Sequence, residues 1–252
     1  MKAKLILTLA AAAVLVGSCY AVRLLPLVTT DNSGNERVVL LHGLGRTQAA
    51  MLLMESELTA AGYDVTSVGY SSIDEPPEAI LPRVAAEMSA CCISADETVH
   101  YVGHSLGGLL IRAYLAENRP RHMGRVVLLG TPNKGSEVAD IDTDEGLEGQ
   151  LLEWAGPTAR ALTTRPDGFP ASLPAPDYAV GIIAGTRDRK LTNRWLPIPN
   201  DGLVSVESAK LDGMTDFITL DLAHWDLRND KESARQVIAF LETGRFATDS
   251  AD

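Results

Sequence analysis

Three short runs, RVVLL (37–41), RVVLLG (125–130) and AVGIIAG (179–185), are apolar at nearly every position rather than at every second one, and TVHYV (98–102) reads as a further strand. A strand with one face in water alternates. A strand that does not alternate is buried on both faces, so the sheet it belongs to needs a covering layer on each side. The chain between the runs supplies those layers. QAAMLLMESELTAAG (48–62) has apolar residues at helical spacing and stops at a glycine, as helices do. PPEAILPRVAAEMSA (76–90) opens on prolines, which a first helical turn tolerates. LGGLLIRAYLAEN (106–118) and KESARQVIAFLET (231–243) are two further helices, and YDVTSVGY (63–70) and DFITLDL (216–222) two further strands. Strands that alternate with helices imply right-handed crossovers and a mostly parallel α/β sheet of about six strands.

The length of 252 residues suits one such domain, expected over 37–246, with a core large enough to need no metal or disulfide. Residues 23–36, which include the turn-forming TTDNSGNE, read as a linker, and 247–252 as a tail. The net charge of −11 argues against a nucleic-acid partner, because phosphate binding needs clustered Lys and Arg. Residues 1–22 read as an export signal: MKAK carries two lysines, LILTLAAAAVLV is unbroken apolar chain, and Gly17 and Ser18 follow. VGSC resembles the lipobox of bacterial lipoproteins, which would lipidate Cys19. Cleavage after Ala21, or an uncleaved anchor continuing through YAVRLLPLV past Arg23, are the alternatives. The apolar run is short for a membrane span. The expected location is therefore periplasmic or membrane-anchored, with secretion as the alternative. Cys91 and Cys92 are adjacent, a poor geometry for a disulfide with each other, and read as buried apolar thiols at a helix end.

From 133 to 176 the strand–helix rhythm stops. An insertion this long is often functional, and its place between two strands puts it at one edge of the sheet as a candidate lid. Its acidic DIDTDEG has a superficial likeness to a calcium loop, but Glu145 stands where glycine is needed and Leu151 where the closing carboxylate belongs. We expect a solvated acidic surface there and no metal site.

GHSLGG (103–108) joins TVHYV to the helix that follows, and satisfies the pattern G-x-S-x-G in the strand–turn–helix context that presents a nucleophile. Side chains beside such a sharp turn would collide with strand and helix; Gly103 and Gly107 relieve that crowding, and Gly108 adds room. The helix start points free N–H groups towards charge forming near Ser105. HGLG (42–45) follows the first strand. Its Leu44 N–H, together with the Leu106 N–H, is the expected pair of oxyanion donors, since one donor stabilises a tetrahedral oxyanion incompletely.

The pieces VVLLHGLG, YVGHSLGGLLIR, LLGTPNKGSEVA, NDGLVSVESAK and AHWDLRN together resemble the α/β-hydrolase superfamily, and within it bacterial lipases and esterases. They span residues 38 to 229, almost the whole domain. The resemblance implies a Ser-His-Asp triad in the chain order serine, acid, histidine. Of five histidines, His42 and His104 belong to the oxyanion and elbow motifs and are expected to point elsewhere. His100 lies inside a strand, and His122 in a solvated loop, RPRHMG. His224 follows the last strand, at the carboxyl edge where ligands bind in such sheets, and is the expected base. The acid is Asp201, in NDGLVSVESA, or alternatively Asp188, just beyond AVGIIAG; the motif match favours Asp201. Asp226 is too near His224 in sequence to be preferred and is expected to help position that loop.

The expected activity is hydrolysis of a carboxylic ester, lipid or otherwise hydrophobic, through an acyl-enzyme and without a cofactor. Acyl transfer or thioester cleavage would use the same triad. A binding protein on an inactive scaffold is the alternative of a different class.

Overall fold

A computed structural model describes residues 36–91, 96–141, 150, 155–188, 192 and 194–248, all within one compact unit, Ser33–Asp252. The export signal with Cys19, the Cys91 side chain, Cys92, and most of the acidic DIDTDEG stretch lie outside the described residues.

Six strands, β1 (Glu36–Leu41), β2 (Asp64–Val68), β3 (Thr98–His104), β4 (His122–Leu129), β5 (Val180–Gly185) and β6 (Asp216–Leu220), form one sheet in the order β2-β1-β3-β4-β5-β6. Every neighbouring pair is parallel. The helices α1 (Leu52–Ala60), α2 (Pro77–Cys91), α3 (Leu106–Glu117), α4 (Gly156–Ala161), α5 (Phe169–Ser172) and α6 (Val206–Ala209) lie in the connections, and α7 (Lys231–Thr243) follows β6. The chain leaves β1 in one direction for β2 and then crosses back to β3 on the other side. This reversal opens a crevice above the carboxyl ends of β1 and β3.

The unbroken apolar runs serve two cores at once. Val39, Leu41, Tyr101, Leu128 and Ile182 face the layer that holds Ile80, Val84 and Met88 of α2 and Leu106, Leu109 and Leu110 of α3. Their sequence neighbours Val38, Leu40, Val102, Val127 and Ile183 face Met54 and Leu58 of α1 and Ala234, Val237, Phe240 and Leu241 of α7. In α2 the residues Ile80, Val84 and Met88 recur every fourth position and are fully buried. That stripe keeps the helix continuous through Pro82, an exposed position whose missing N–H removes one helical bond. α7 begins where the Asp230 carboxylate accepts from the Glu232 and Ser233 N–H groups, and ends at Gly244 in the left-handed region, φ 77°.

Two elements start more than one residue away from the sequence expectation. The segment from Gln48 to Met51 is a 3-10 turn, and α1 proper starts at Leu52. β4 starts at His122, which is exposed but paired opposite Thr98 rather than in a loop. Gly124 hides this strand start in the sequence. β4 gains one residue relative to β3 between Val99 and Tyr101, and His100 packs against that irregularity, its Nδ1 accepting from the Arg125 N–H at 3.0 Å. A Cβ on Gly124 would stand 2.7 Å from the same nitrogen. The insertion leaves from the carboxyl end of β4 and, among its described residues, contains the 3-10 turn Glu137–Asp140 with α4 and α5, and no strand.

Two measurements test this packing. Phe240 is fully buried, with its ring centroid 5.0 Å from that of Phe246; Phe240→Ala should lower the urea-unfolding free energy by about 3–5 kcal/mol. Burial first, and the Arg125 charge second, push the His100 imidazole from 6.5 down to about 4. Between these values the unfolded chain binds a proton that the folded chain refuses, so stability present above 6.5 is lost as pH falls towards 4. The urea midpoint should fall over that interval, and less steeply in His100→Asn, which keeps an acceptor for Arg125.

Candidate active site

β3 runs straight into the elbow. Ser105 has φ 55° and ψ −122° and is the one non-glycine among the described residues with positive φ. Such strain persists only where the surroundings hold it. Here the Ser105 N–H donates to the Leu129 carbonyl at 2.9 Å, and its own carbonyl accepts from the Gly108 N–H at 3.0 Å. The glycines make room. A Cβ on Gly103 would lie 2.6 Å from the Gly108 backbone, one on Gly107 2.4 Å from the Leu41 carbonyl oxygen, and one on Gly108 2.0 Å from Thr131 Oγ1.

His224 follows β6 and reaches this turn. Its Nε2 lies 3.0 Å from Ser105 Oγ, and its Nδ1 lies 2.8 Å from Asp201 Oδ2. The other Asp201 oxygen accepts from the Leu203 and Val204 N–H groups, at 3.0 and 2.8 Å. The Asp201 carbonyl accepts from the His224 N–H at 2.9 Å, so the two residues are tied by backbone as well as side chain. Ser105, Asp201 and His224 are all buried. A neutral imidazole that donates from Nδ1 to the carboxylate presents a lone pair at Nε2 to the serine hydroxyl. Of the two candidate acids, Asp201 is the one brought to His224; Asp188 is half-buried just past β5. The Asp226 N–H donates to the Ala223 carbonyl and closes the turn that carries His224.

The loop after β1 lies over the elbow: a Cβ on Gly43 would stand 3.1 Å from the Ser105 Cβ. Leu44 lines the cleft beside Ser105. Leu106 is the first residue of α3, where an α-helix leaves its N–H groups without helical acceptors.

A family model described as the alpha/beta hydrolase fold matches residues 36–175, more than half of the chain. The chain is an α/β hydrolase. Triacylglycerol lipases of Pseudarthrobacter phenanthrenivorans and Burkholderia plantarii are each 33% identical to it over 119 residues, 42% of this chain. That stretch is 36% and 32% of their own lengths, so the hydrolase matches about a third of each. The mature form of a lipase from Bacillus licheniformis superposes with a TM-score of 0.66 at 19% identity, over 82% of this chain and 91% of that one. The structure of EstA from Clostridium botulinum gives 0.56 at 14% identity, over 82% and 87%. Family, relatives and fold together mark it as a lipase- and esterase-like member.

Ser105 and His224 line a cleft of about 340 Å³ in this hydrolase. One wall is apolar and comes from the insertion, through Val138, Ala139, Ile141, Ala155, Ala159 and Leu162; Trp195, Leu203 and Val204 add to it. Arg112 of α3 clamps both ends of the insertion. Its guanidinium donates to Asn133 O and Oδ1 at one end and to the Leu173 and Pro174 carbonyls at the other. Burial lowers that guanidinium to about 10. Among the described residues no cluster of three or more His, Cys, Asp or Glu is placed to hold a metal ion, and no helix is long and apolar enough to cross a membrane.

Several residues of the site were not legible in sequence. His104, expected to point elsewhere, packs with its ring 4.8 Å from that of His224 and lines the cleft. A carbonyl only accepts, so His104 Nε2 donates to the His224 oxygen 2.8 Å away. Burial, with the His224 and Arg228 charges, holds this imidazole well below its usual value and therefore neutral. Gly130 and Gly185 give the aspartate and histidine their space: a Cβ on Gly130 would lie 3.1 Å from Asp201 Oδ2, and one on Gly185 2.7 Å from the Asp201 Cβ. Arg112 sits inside a run that reads as plain amphipathic helix, and nothing local distinguishes it. The one available signal was the glycine after RVVLL in LLGTPNKG, whose φ is 53°.

Gly107→Ala drives α3 away from the end of β1 and moves Ser105 with it. The expected result is a fall of about a hundredfold in the rate at which an organophosphonate labels Ser105, read by mass spectrometry.

Proposed function

We propose that this hydrolase cleaves carboxylic esters by a Ser-His-Asp triad. The observation that carries this reading is the continuous chain from Ser105 Oγ through the His224 ring to Asp201, at 3.0 and 2.8 Å, opening on an apolar cleft. Ser105 attacks the acyl carbon while His224 Nε2 takes its proton. Asp201 holds the ring in the tautomer that accepts at Nε2 and stabilises the imidazolium. The Leu44 and Leu106 N–H groups receive the oxyanion, aided by the positive end of α3. His224 then protonates the departing alcohol, and water repeats the sequence on the acyl-enzyme. No cofactor enters the reaction.

The insertion acts as acyl-pocket wall and lid in this reading, and the substrate is a hydrophobic ester, as the names of the related triacylglycerol lipases also suggest. The N-terminal segment would export the protein and hold it at a membrane, through lipidated Cys19 or as an anchor, near such substrates. A panel of p-nitrophenyl esters of increasing chain length tests the assignment. Ser105→Ala should abolish turnover. Asp201→Asn should lower kcat by about 10⁴, by favouring the wrong tautomer, while Asp188→Asn stays near wild type. Loss in Asp188→Asn with survival in Asp201→Asn would overturn the choice of acid.

A further inference from the structure

Arg228 lies on the same loop as His224, is 7% exposed, and lines the cleft with Ser105 and His224. Its Nε has no hydrogen-bond partner, and among the described residues no carboxylate forms an ion pair with it. The contrast with Arg112 is informative. There Nε is also without a partner, but the two terminal nitrogens of the buried guanidinium donate to four acceptor oxygens, which offsets its lost hydration. Arg228 lacks such acceptors. Burial, and next the charge of Arg46, destabilise its ionised form, and Asp226 opposes them only in part. Arg46, exposed on the loop after β1, lines the same cleft. None of the described residues lining it is acidic, although the chain as a whole carries −11. Among the described residues, the lining of the cleft thus carries two guanidiniums and no carboxylate, in a chain whose net charge is negative.

We infer that the cleft takes esters whose alcohol portion carries an oxyanion, a phosphate or a carboxylate, held by Arg228 and Arg46. This rests on the ester-hydrolase reading above and adds the substrate class to it. The side follows from His224, which hands its proton to the departing oxygen and shares a loop with Arg228; the apolar wall that suits an acyl chain comes from the insertion instead. The step balances without further reagents. Ser105 Oγ bonds to the acyl carbon as the acyl C–O bond breaks, and the serine proton passes through His224 to the leaving oxygen. Water then releases the acid and restores Ser105. The oxyanion undergoes no chemistry and serves as an anchor, since charge-assisted pairs with guanidinium are strong and directional.

The test uses three esters of one acyl chain: 1-hexanoylglycerol, 1-hexanoylglycerol 3-phosphate and 3-(hexanoyloxy)propanoate. At least one anionic ester should exceed the neutral one in kcat/KM by about tenfold or more, and the better of the two identifies the oxyanion. In Arg228→Gln the anionic-to-neutral ratio should fall by about tenfold, a change that a merely structural arginine would not produce. Thermal unfolding shows whether that variant is folded; if it is not, the exposed Arg46→Gln decides by the same ratio. Equal rates on the three esters, or a ratio that the folded variant leaves unmoved, would overturn the inference. Absence of turnover on these and on p-nitrophenyl esters would instead overturn the hydrolase reading. In that event calorimetry of 1-hexanoylglycerol 3-phosphate with Ser105→Ala still decides the anion site: binding supports it, and no binding removes it.

Discussion

The first turn of α3 lies against the end of β1 so closely that a Cβ on Gly107 would stand 2.4 and 2.6 Å from the Leu41 and His42 carbonyl oxygens. The other distances in the cleft depend on that approach. It sets the helix start against the end of β1 and the loop that follows, whose Gly43 lies close over Ser105. It also forces the chain to turn between His104 and Leu106, and Ser105 takes the positive φ that the turn requires. The strained residue is held by its neighbours: by the Leu129 carbonyl on its N–H and by the two cores that clamp β3 on both faces.

Polar groups buried around this turn follow one economy of charge. His42 and His104 are kept neutral by burial, so each offers a single donor and a single acceptor. His42 stacks on Tyr70 at 4.0 Å between centroids and engages the Gly43 carbonyl through Nδ1; His104 engages the carbonyl of His224. These two imidazoles therefore steady the loops on either side of the serine, one after β1 and one after β6. They leave His224 as the histidine whose Nε2 faces the hydroxyl. Asp201 is held with equal economy, since two backbone N–H groups and the imidazole take both of its oxygens.

Much of this architecture was legible because its signals are local. RVVLL and AVGIIAG are apolar on both faces, and that alone demanded a covered parallel sheet; KESARQVIAFLET carried its own cap, stripe and terminal glycine and became α7 over the expected residues. GHSLGG was legible because steric crowding at a tight turn admits only glycine at its flanks. Where the expectation slipped, the cause was long-range. β4 starts at His122 because Thr98 stands beside it to be paired, a fact that no property of RPRHMG records. Asp201 and Asp188 both follow β5, and their contact with His224 is a matter of where the fold puts each carboxylate: Asp201 Oδ2 lies 2.8 Å from His224 Nδ1.

The sequence by itself determined the class of fold and the sharp, glycine-flanked turn at Ser105. Periodicity and glycine sterics act within a few residues. Only the tertiary structure decided which aspartate meets His224, that His104 belongs to the cleft, that Arg112 ties down the insertion at both ends, and that no carboxylate among the described residues forms an ion pair with Arg228. Each of these depends on distances between segments far apart in sequence. Whether a buried charge is paired or open is settled by what the fold places around it.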